Sequence, residues 1–569
     1  MQVGDPRKGP SQHGQNGSGY SETAPKVSWW GLPEVLVVRS VFILLCTLIL
    51  NAQEVRLQVL VTGDLQGRIL PRDTFTLQPI NQGWAMVATL IRNLKAANPN
   101  TLLVDCGDVL SGDPVNYFRN RLKPELPEPS VAIMNDLGYH AIAVGGREYD
   151  FGFKQLRSVE ELAQFPFLSA NTVFASTGKG VFTPYVMVPM GGLQVAILGL
   201  TAASVAQGTD AAKLADLKFL DPVEIAKTLV PKLRDKEKAD LVIVVIHGAL
   251  GTGPCTPMGS NPVGCLAEKV PGIDLILAGN GLQALATRVA GVPVLQAGSA
   301  VGVATLKVRK ERFHWKLESA ELRLEQPKAE TIPDAQVLEL TASLRRETEA
   351  YLDTYATNLA TDLDGRWSRM EDSALVQLLH TVMRKATGAQ LSAVASPGSR
   401  IFIPKGATSV RQFYALAPEE DRLARIRISG AQLRKYLEHS ARFYNLSYEP
   451  DLFNREVAPR DHDMLSGVNY SLDLSKPMGQ RVVMLTYRNE QVTDAQQFTL
   501  ALSTARLAGS GGYLEAMGFL GGAEMTTPLS LRNLLLAYVL SQPSMTIPLV
   551  HNWRTIPYLD RERVLAQQP

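Results

Sequence analysis

The sequence predicts an α/β sandwich followed by a smaller, mixed α+β domain. Three observations point to it. The chain has 569 residues, too many for one ordinary domain and suited to two of about 100–200 residues each. From residue 55 to about 325, short apolar runs alternate with helix-like segments. Past a proline-marked joint near Gln326, the pattern changes to helices interspersed with strand-like stretches.

The N-terminus stands apart. Residues 1–34 are rich in Gly, Ser, Pro and Gln, a composition that does not fold. Arg39 then precedes the apolar run Val41–Leu50 and the short segment Asn51-Ala52-Gln53. A basic residue, about ten apolar residues and a small residue make a secretory signal peptide. The alternative is a buried core helix. The run falls short of the roughly 20 residues that span a membrane. We therefore assign residues 1–53 to an extension and signal peptide, with translation starting near Val35–Val38. The mature chain is expected to be exported, to the periplasm or outside of a bacterium, with no membrane span.

The first domain is expected over residues 54–325. Its apolar runs are RLQVLVT (56–62), TLLVD (101–105), HAIAVG (140–145), LQVAILGL (193–200), LVIVVIH (241–247), IDLILAG (273–279) and VPVLQAG (292–298). Runs with so little polar alternation suit strands buried on both faces by helices. GWAMVATLIRNLKAA and PVEIAKTLVPKLRDKEK supply such helices. Residues 326–364 form a linker with Pro327 and Pro333, then a connecting helix read as one piece over Ala335–Tyr355. The second domain spans 365–545, with helices at Ser373–Thr387 and Ala431–Tyr444 and strands in LARIRIS, QRVVMLTYR and QFTLALST. Residues 546–569 are left as a tail.

Charge and cysteines narrow the possible partners. With 57 basic and 55 acidic residues the net charge is +2, which gives no basis for binding a nucleic-acid polymer. Of the cysteines Cys46, Cys106, Cys255 and Cys265, the first leaves with the signal. Cys255 and Cys265 flank the loop TPMGSNPVG. In an oxidising compartment they read as a loop-closing disulfide, the alternative being two free thiols.

Ligands of α/β sheets bind at the carboxyl ends of the strands. There the runs end in TGDLQGR, CGDVLSGDP, GGREYDFG, His247-Gly248-Ala249 and GNGLQ. Asp, Asp, Arg-Glu, His and Asn thus meet at one edge, a sensible start for an oxygen-and-imidazole metal site. Longer strings sharpen this. MNDLGYHAIAVGGREYDFG, PFLSANT, VAILGLTA, VPGIDLILAG and VPVLQAGS, then TGAQLSAVASPGSR, ISGAQLRKYLEHSARFYN and SGVNYSLDLSKPMGQRV, resemble the 5′-nucleotidase and 2′,3′-cyclic-nucleotide phosphodiesterase family in matching order. The resemblance covers nearly the whole mature chain.

It implies a four-layer αββα metallophosphoesterase sandwich of the calcineurin-like type, holding two divalent metal ions. Against that pattern the sequence departs at most ligand positions. Asp64 stands in the D-x-H motif, but Gln66 replaces its His. Asp108 stands for the bridging Asp. In GGRE, Gly146 replaces the metal-binding Asn and Arg147 the catalytic His. His247 stands for the strand-end His, while Asn280 and Leu282 replace the last two His ligands. Asp64, Asp108 and His247 are three survivors of eight positions, with Gln66 and Asn280 as neutral oxygen donors in doubtful ligand roles. The two-ion complement is therefore expected to be absent, or reduced to one weakly bound ion. Arg147 either binds a phosphate-like anion in part of the metals' place or pairs with Asp64 or Asp108.

The resemblance also implies a C-terminal domain that chooses the substrate with arginines and two stacking rings. Arg400 matches a phosphate- or ribose-binding arginine, and Tyr513, ending AGSGGY, matches one ring. The other ring is lost: YALAPEEDRL carries Glu419 at the aromatic position and Asp421 for an Asn. The family's Y-N-F-D string reads Arg460-Asp461-His462-Asp463. By lineage the protein is a hydrolase of nucleotides or other phosphate esters, weak or inactive. The alternatives are a non-catalytic binder of phosphate or nucleotide, or an interaction protein of the cell envelope.

Overall fold

The computed structural model describes residues 53–569 apart from 252, 257, 258, 282, 313, 568 and 569. The expected signal peptide therefore lies outside the described residues, as does Leu282. Among the described residues no helix is long and apolar enough to cross a membrane.

The first half begins with β1 (Glu54–Thr62), α1 (Trp84–Ala97), β2 (Thr101–Asp105), α2 (Pro129–Leu137), β3 (Ala141–Ala143) and β4 (Phe167–Leu168). It continues with β5 (Tyr185–Met190), β6 (Leu193–Thr201), α3 (Pro222–Asp235), β7 (Leu241–His247), α4 (Pro262–Lys269) and β8 (Leu275–Gly279). It closes with β9 (Leu285–Val289), β10 (Val292–Gln296), β11 (Val301–Glu311) and β12 (His314–Glu325). Two six-stranded sheets result, in the orders β12-β11-β1-β2-β3-β4 and β9-β10-β8-β7-β6-β5. Their central pairs β1/β2, β2/β3, β6/β7 and β7/β8 run parallel.

Alternation along each strand explains the layering. Leu57, Val59 and Val61 of β1 pack with Val195, Ile197, Ile243, Val245 and Leu277, so the two sheets meet face to face. Leu60 and Leu103 point the other way, onto Trp84, Val87 and Ile91 of α1 and Met134 of α2. Val242, Val244 and Ile246 of β7 cover α3 and α4 through Val223, Ala226, Val230 and Leu266. Helix, sheet, sheet and helix give the αββα order. Both faces of every central strand are dry, which is why the runs read as nearly continuous apolar sequence.

The connecting helix is not one piece. It breaks into α5 (Ala335–Leu340) and α6 (Ala342–Leu352). Thr341 is the cause: its hydroxyl donates to the Val337 carbonyl and accepts from Arg345 Nε, a local alternative to the helix ladder.

The second half contains α7 (Ala374–Thr387), β13 (Leu391–Ala395), β14 (Arg422–Ser429), α8 (Gly430–Ala441), β15 (Asp463–Ser466), β16 (Gln497–Ser503) and β17 (Met525–Ser530). The sheet order is β15-β13-β16-β14-β17. The segment read as a tail is built into this half: Trp553–Ile556 pairs in parallel with residues 470–473, and Trp553 stacks on Tyr470. Cys255 and Cys265 are disulfide-bonded, and Cys106 is free and buried.

Glu128 caps α2, accepting the Val131 N–H, and is 2% exposed. Burial pushes its carboxyl up to about 7, against the Val131 hydrogen bond and the charge of Arg119. The folded state then keeps a proton that the unfolded chain releases near 4.5, so this group costs stability as pH rises from 4.5 to 7. Glu128→Gln should match the parent near pH 4.5 and exceed it by up to roughly 3 kcal/mol at pH 8 in urea unfolding. A difference that does not change with pH would contradict this.

Candidate functional site

The carboxyl ends of β1, β2, β3, β7 and β8 share one edge. Asp64 lies two residues past β1, Asp108 three past β2, Arg147 four past β3. His247 ends β7 and Asn280 follows β8. Asp64, Gln66, Asp108 and Asn280 all adopt left-handed backbone, with φ of 54°, 52°, 63° and 60°. Such strain in non-glycine residues collects where a site over-determines the chain.

The structure brings Asp64, Asp108 and His247 together: one donor atom from each lies within 4.8 Å of the others. Nδ1–H of His247 donates to the Cys106 carbonyl at 2.8 Å, which fixes the ring. Nε2 then faces Asp108 Oδ1 at 3.5 Å. A ligating histidine is held in this way by its second nitrogen. Asp64 Oδ2 accepts the Asn280 N–H at 2.8 Å, and Asp108 Oδ1 accepts the Arg147 N–H at 2.8 Å. Gln66 lines a polar cavity of about 330 Å³ with Asp64, Arg68, Gln82 and Ser299. Asn280 reaches the site through its backbone, and its residue is exposed.

Glu148, in the short helical turn Arg147–Tyr149, has a role that the sequence did not show. It is 2% exposed and accepts the N–H groups of Asp108 and Gly145 on one oxygen and Val109 on the other. Burial and the neighbouring Asp108 charge hold its carboxyl above the usual range. Gly145 is required beside it: a Cβ there would stand 2.5 Å from Asp108 Oδ1 and 2.7 Å from His247 Nδ1. Burial likewise pushes Asp64 up to about 6, aided by Asp108 and opposed by His247. His247 is drawn upward despite its burial, by Asp108, Asp64 and Glu148.

Arg147 does not make its main pair with Asp64 or Asp108. Its guanidinium forks onto Glu419 of the second half, Nη1 to Oε2 at 2.9 Å and Nη2 to Oε1 at 3.2 Å. Its Nε remains 3.8 Å from Asp108 Oδ2. Arg422 makes a second fork across the halves onto Asp210, at 2.7 and 3.0 Å. Both arise from the segment Pro418–Arg422, which Arg532 anchors through the Pro418 carbonyl and Glu420 while stacking on Tyr117 and Tyr414.

The expected substrate contacts divide. Arg400 is exposed on the loop after β13, with no side-chain hydrogen bond or ion pair among the described residues. Tyr513 is fully buried. Its ring packs on Tyr436 at 4.3 Å, His439 at 4.7 Å and the Arg506 guanidinium at 4.9 Å, and its hydroxyl donates to the Asp461 carbonyl. It offers no face to a base. A glycine-rich loop announces an aromatic ring but not which way the ring turns.

The donor set fits one cation: two carboxylate oxygens and an imidazole nitrogen converge. Gly146 brings no donor, and Asn280 brings only a neutral amide.

Residues 351–518 match the 5′-nucleotidase C-terminal domain. The chain is 23% identical to the trifunctional nucleotide phosphoesterase protein YfkN of Bacillus subtilis, over 89% of this chain and 39% of that protein. It therefore spans about two fifths of that relative's length. It is 24% identical to a 2′,3′-cyclic-nucleotide 2′-phosphodiesterase/3′-nucleotidase of Yersinia enterocolitica, over 83% of this chain and 84% of that one. The solved structure of a 5′-nucleotidase precursor from Thermus thermophilus shares the fold, with a TM-score of 0.65 at 22% identity, over 88% of this chain and 99% of that one. Residues 351–518 thus form a 5′-nucleotidase C-terminal domain, and the chain as a whole is similar to the 5′-nucleotidase family.

Space is not what keeps a ligand from position 146. Gly146 has φ −73° and ψ −39°, and an added Cβ would meet only Val205, at 3.9 Å. Gly146→Asn should fold with unchanged stability or a gain of about 0.4–1 kcal/mol from its less flexible unfolded chain. It should also bind Mn²⁺ more tightly than the parent in calorimetry. A large drop in melting temperature would contradict the open space.

Proposed function

We propose that this chain is an exported member of the family that uses the strand-end pocket to bind a phosphate-bearing small molecule and does not run two-metal hydrolysis. One observation carries the reading. Arg147, at the position where the family resemblance puts the catalytic His, is committed to a forked ion pair with Glu419. A guanidinium stays protonated and cannot shuttle a proton, a step worth about 10²–10⁴ in rate. A two-ion site would clamp the attacking and leaving oxygens of the ester, and the donors for the second ion are missing. Arginine binds phosphate without any metal.

The ligand side agrees. Tyr513 is buried and Glu419 stands where the second ring is expected, so a nucleobase finds no stacking platform. A small phosphate ester or inorganic phosphate suits the pocket better than a nucleotide. Export rests on the run Val41–Leu50 and on the disulfide Cys255–Cys265, which suits an oxidising compartment. A second reading, slow hydrolysis with a single ion, is favoured by the convergence of Asp64, Asp108 and His247.

The purified protein, assayed with Mn²⁺ and Zn²⁺ against nucleotides, cyclic nucleotides and simple phosphate esters, should show no turnover above buffer. It should bind inorganic phosphate in titration calorimetry, and Arg147→Ala should weaken that binding at least roughly tenfold. Metal-dependent turnover on any of these esters would overturn the proposal.

A further inference from the structure

The Glu419 carboxylate sits in a basin of positive charge. Arg147 holds it by two hydrogen bonds, and the charges of Lys213 and Arg460 act on it in the same sense. Against its partial desolvation, these cations hold Glu419 below the usual carboxylate range. Asp150, paired with Lys213 at 3.2 Å, and Asp421 are the anions beside the basin, and Asp108 lies behind Arg147. The Glu419 side chain is 52% exposed and that of Arg147 23% exposed, so the pair stands at the mouth of the site and solvent reaches it.

The two partners come from different halves and are presented differently. Arg147 follows β3 on the loop that Glu148 rivets through Gly145. Glu419 rides on the segment Pro418–Arg422, fixed within its own half by Arg532 and by the hydrogen bond from Leu531 N to the Asp421 carbonyl. Elsewhere the halves meet through rings: Phe75 and Tyr117 pack on Tyr414. That ring contact is reinforced by Arg411, which donates to the Thr74 carbonyl, and by Arg532 between Tyr117 and Tyr414, whereas over the site the halves are joined by the solvent-reached pair Arg147–Glu419. Exposed ion pairs exchange partners at little cost, since water and competing ions replace them. Buried rings do not.

We propose that Glu419 is a built-in anion that caps Arg147, so that a phosphate-bearing ligand binds by displacing the Glu419 carboxylate. This rests on the anion-binding reading above and adds a regulator to it. The chemistry is an exchange of one oxyanion for another on the same guanidinium fork, and no bond is made or broken. Phosphate and carboxylate offer Arg the same bidentate pairing. The charged segment 418–422 thereby makes the pocket selective for ligands that out-compete an internal carboxylate.

The test is titration calorimetry with inorganic phosphate on the full mature chain, its Glu419→Gln and Arg147→Ala variants, and the double variant. Circular dichroism melts accompany each to confirm folding. Glu419→Gln should bind phosphate roughly tenfold more tightly than the parent, because the competing charge is gone while Arg147 remains. Arg147→Ala and the double variant should bind weakly or not at all. If the parent binds and Arg147→Ala does not, but Glu419→Gln binds no better than the parent, the cap is overturned and the anion pocket stands. If no variant, Glu419→Gln included, binds phosphate, the anion pocket and the cap both fail.

Discussion

The buried carboxylate of Glu148, wedged between the loops that follow β2 and β3, accepts the backbone N–H groups of Asp108, Val109 and Gly145. Those hydrogen bonds fix where Asp108 points and where Arg147 begins. Buried acceptors of this kind are costly to leave unpaired, so the loops and the carboxylate hold one another in place. The Gly145 backbone packs against Asp108, His247 and Glu148 with no room for a Cβ. The frame of the site therefore stands independently of which side chains are mounted on it. That is how Asp64, Asp108 and His247 come to form a compact group and not a collapsed edge.

Charge balance follows from the same frame. Asp64, Asp108 and Glu148 stand close together with few cations among them. His247 answers part of that charge, held upward by its three acidic neighbours despite its burial. Arg147 sits at the rim, its Nε towards Asp108 and its fork turned outward to Glu419. The site is acidic at its floor and cationic at its mouth. A cation at the floor and an oxyanion at the mouth are both compatible with that order, and neither needs the base-stacking platform the buried Tyr513 does not provide.

Much of this was legible before the structure. Asp64, Asp108, Arg147 and His247 could be placed together because parallel strands with short βα loops deliver their ends to one edge. The α/β sandwich followed from apolar runs buried on both faces, and its four-layer αββα order from the family resemblance. What was not legible depended on distant pairs or on orientation. Arg147 and Glu419 are 272 residues apart and meet only because the halves dock. The sequence showed both as departures from a pattern, yet not that each departure completes the other. The loop-holding role of Glu148 was hidden because a buried carboxylate that accepts backbone N–H groups leaves no periodic mark. The break at Thr341 was hidden by an amphipathic period that continues through it, and the strand Trp553–Ile556 by its position near the chain end.

The central claim is that this site holds at most one metal ion and meets oxyanions with Arg147. A crystal structure of the mature protein with Mn²⁺ and phosphate, read by anomalous scattering at the manganese edge, tests it most directly. The account predicts no more than one manganese peak, bounded by Asp64, Asp108 and His247, and phosphate density on the Arg147 fork with Glu419 turned away. Two manganese peaks roughly 3.5–4 Å apart, bridged by Asp108, would contradict it.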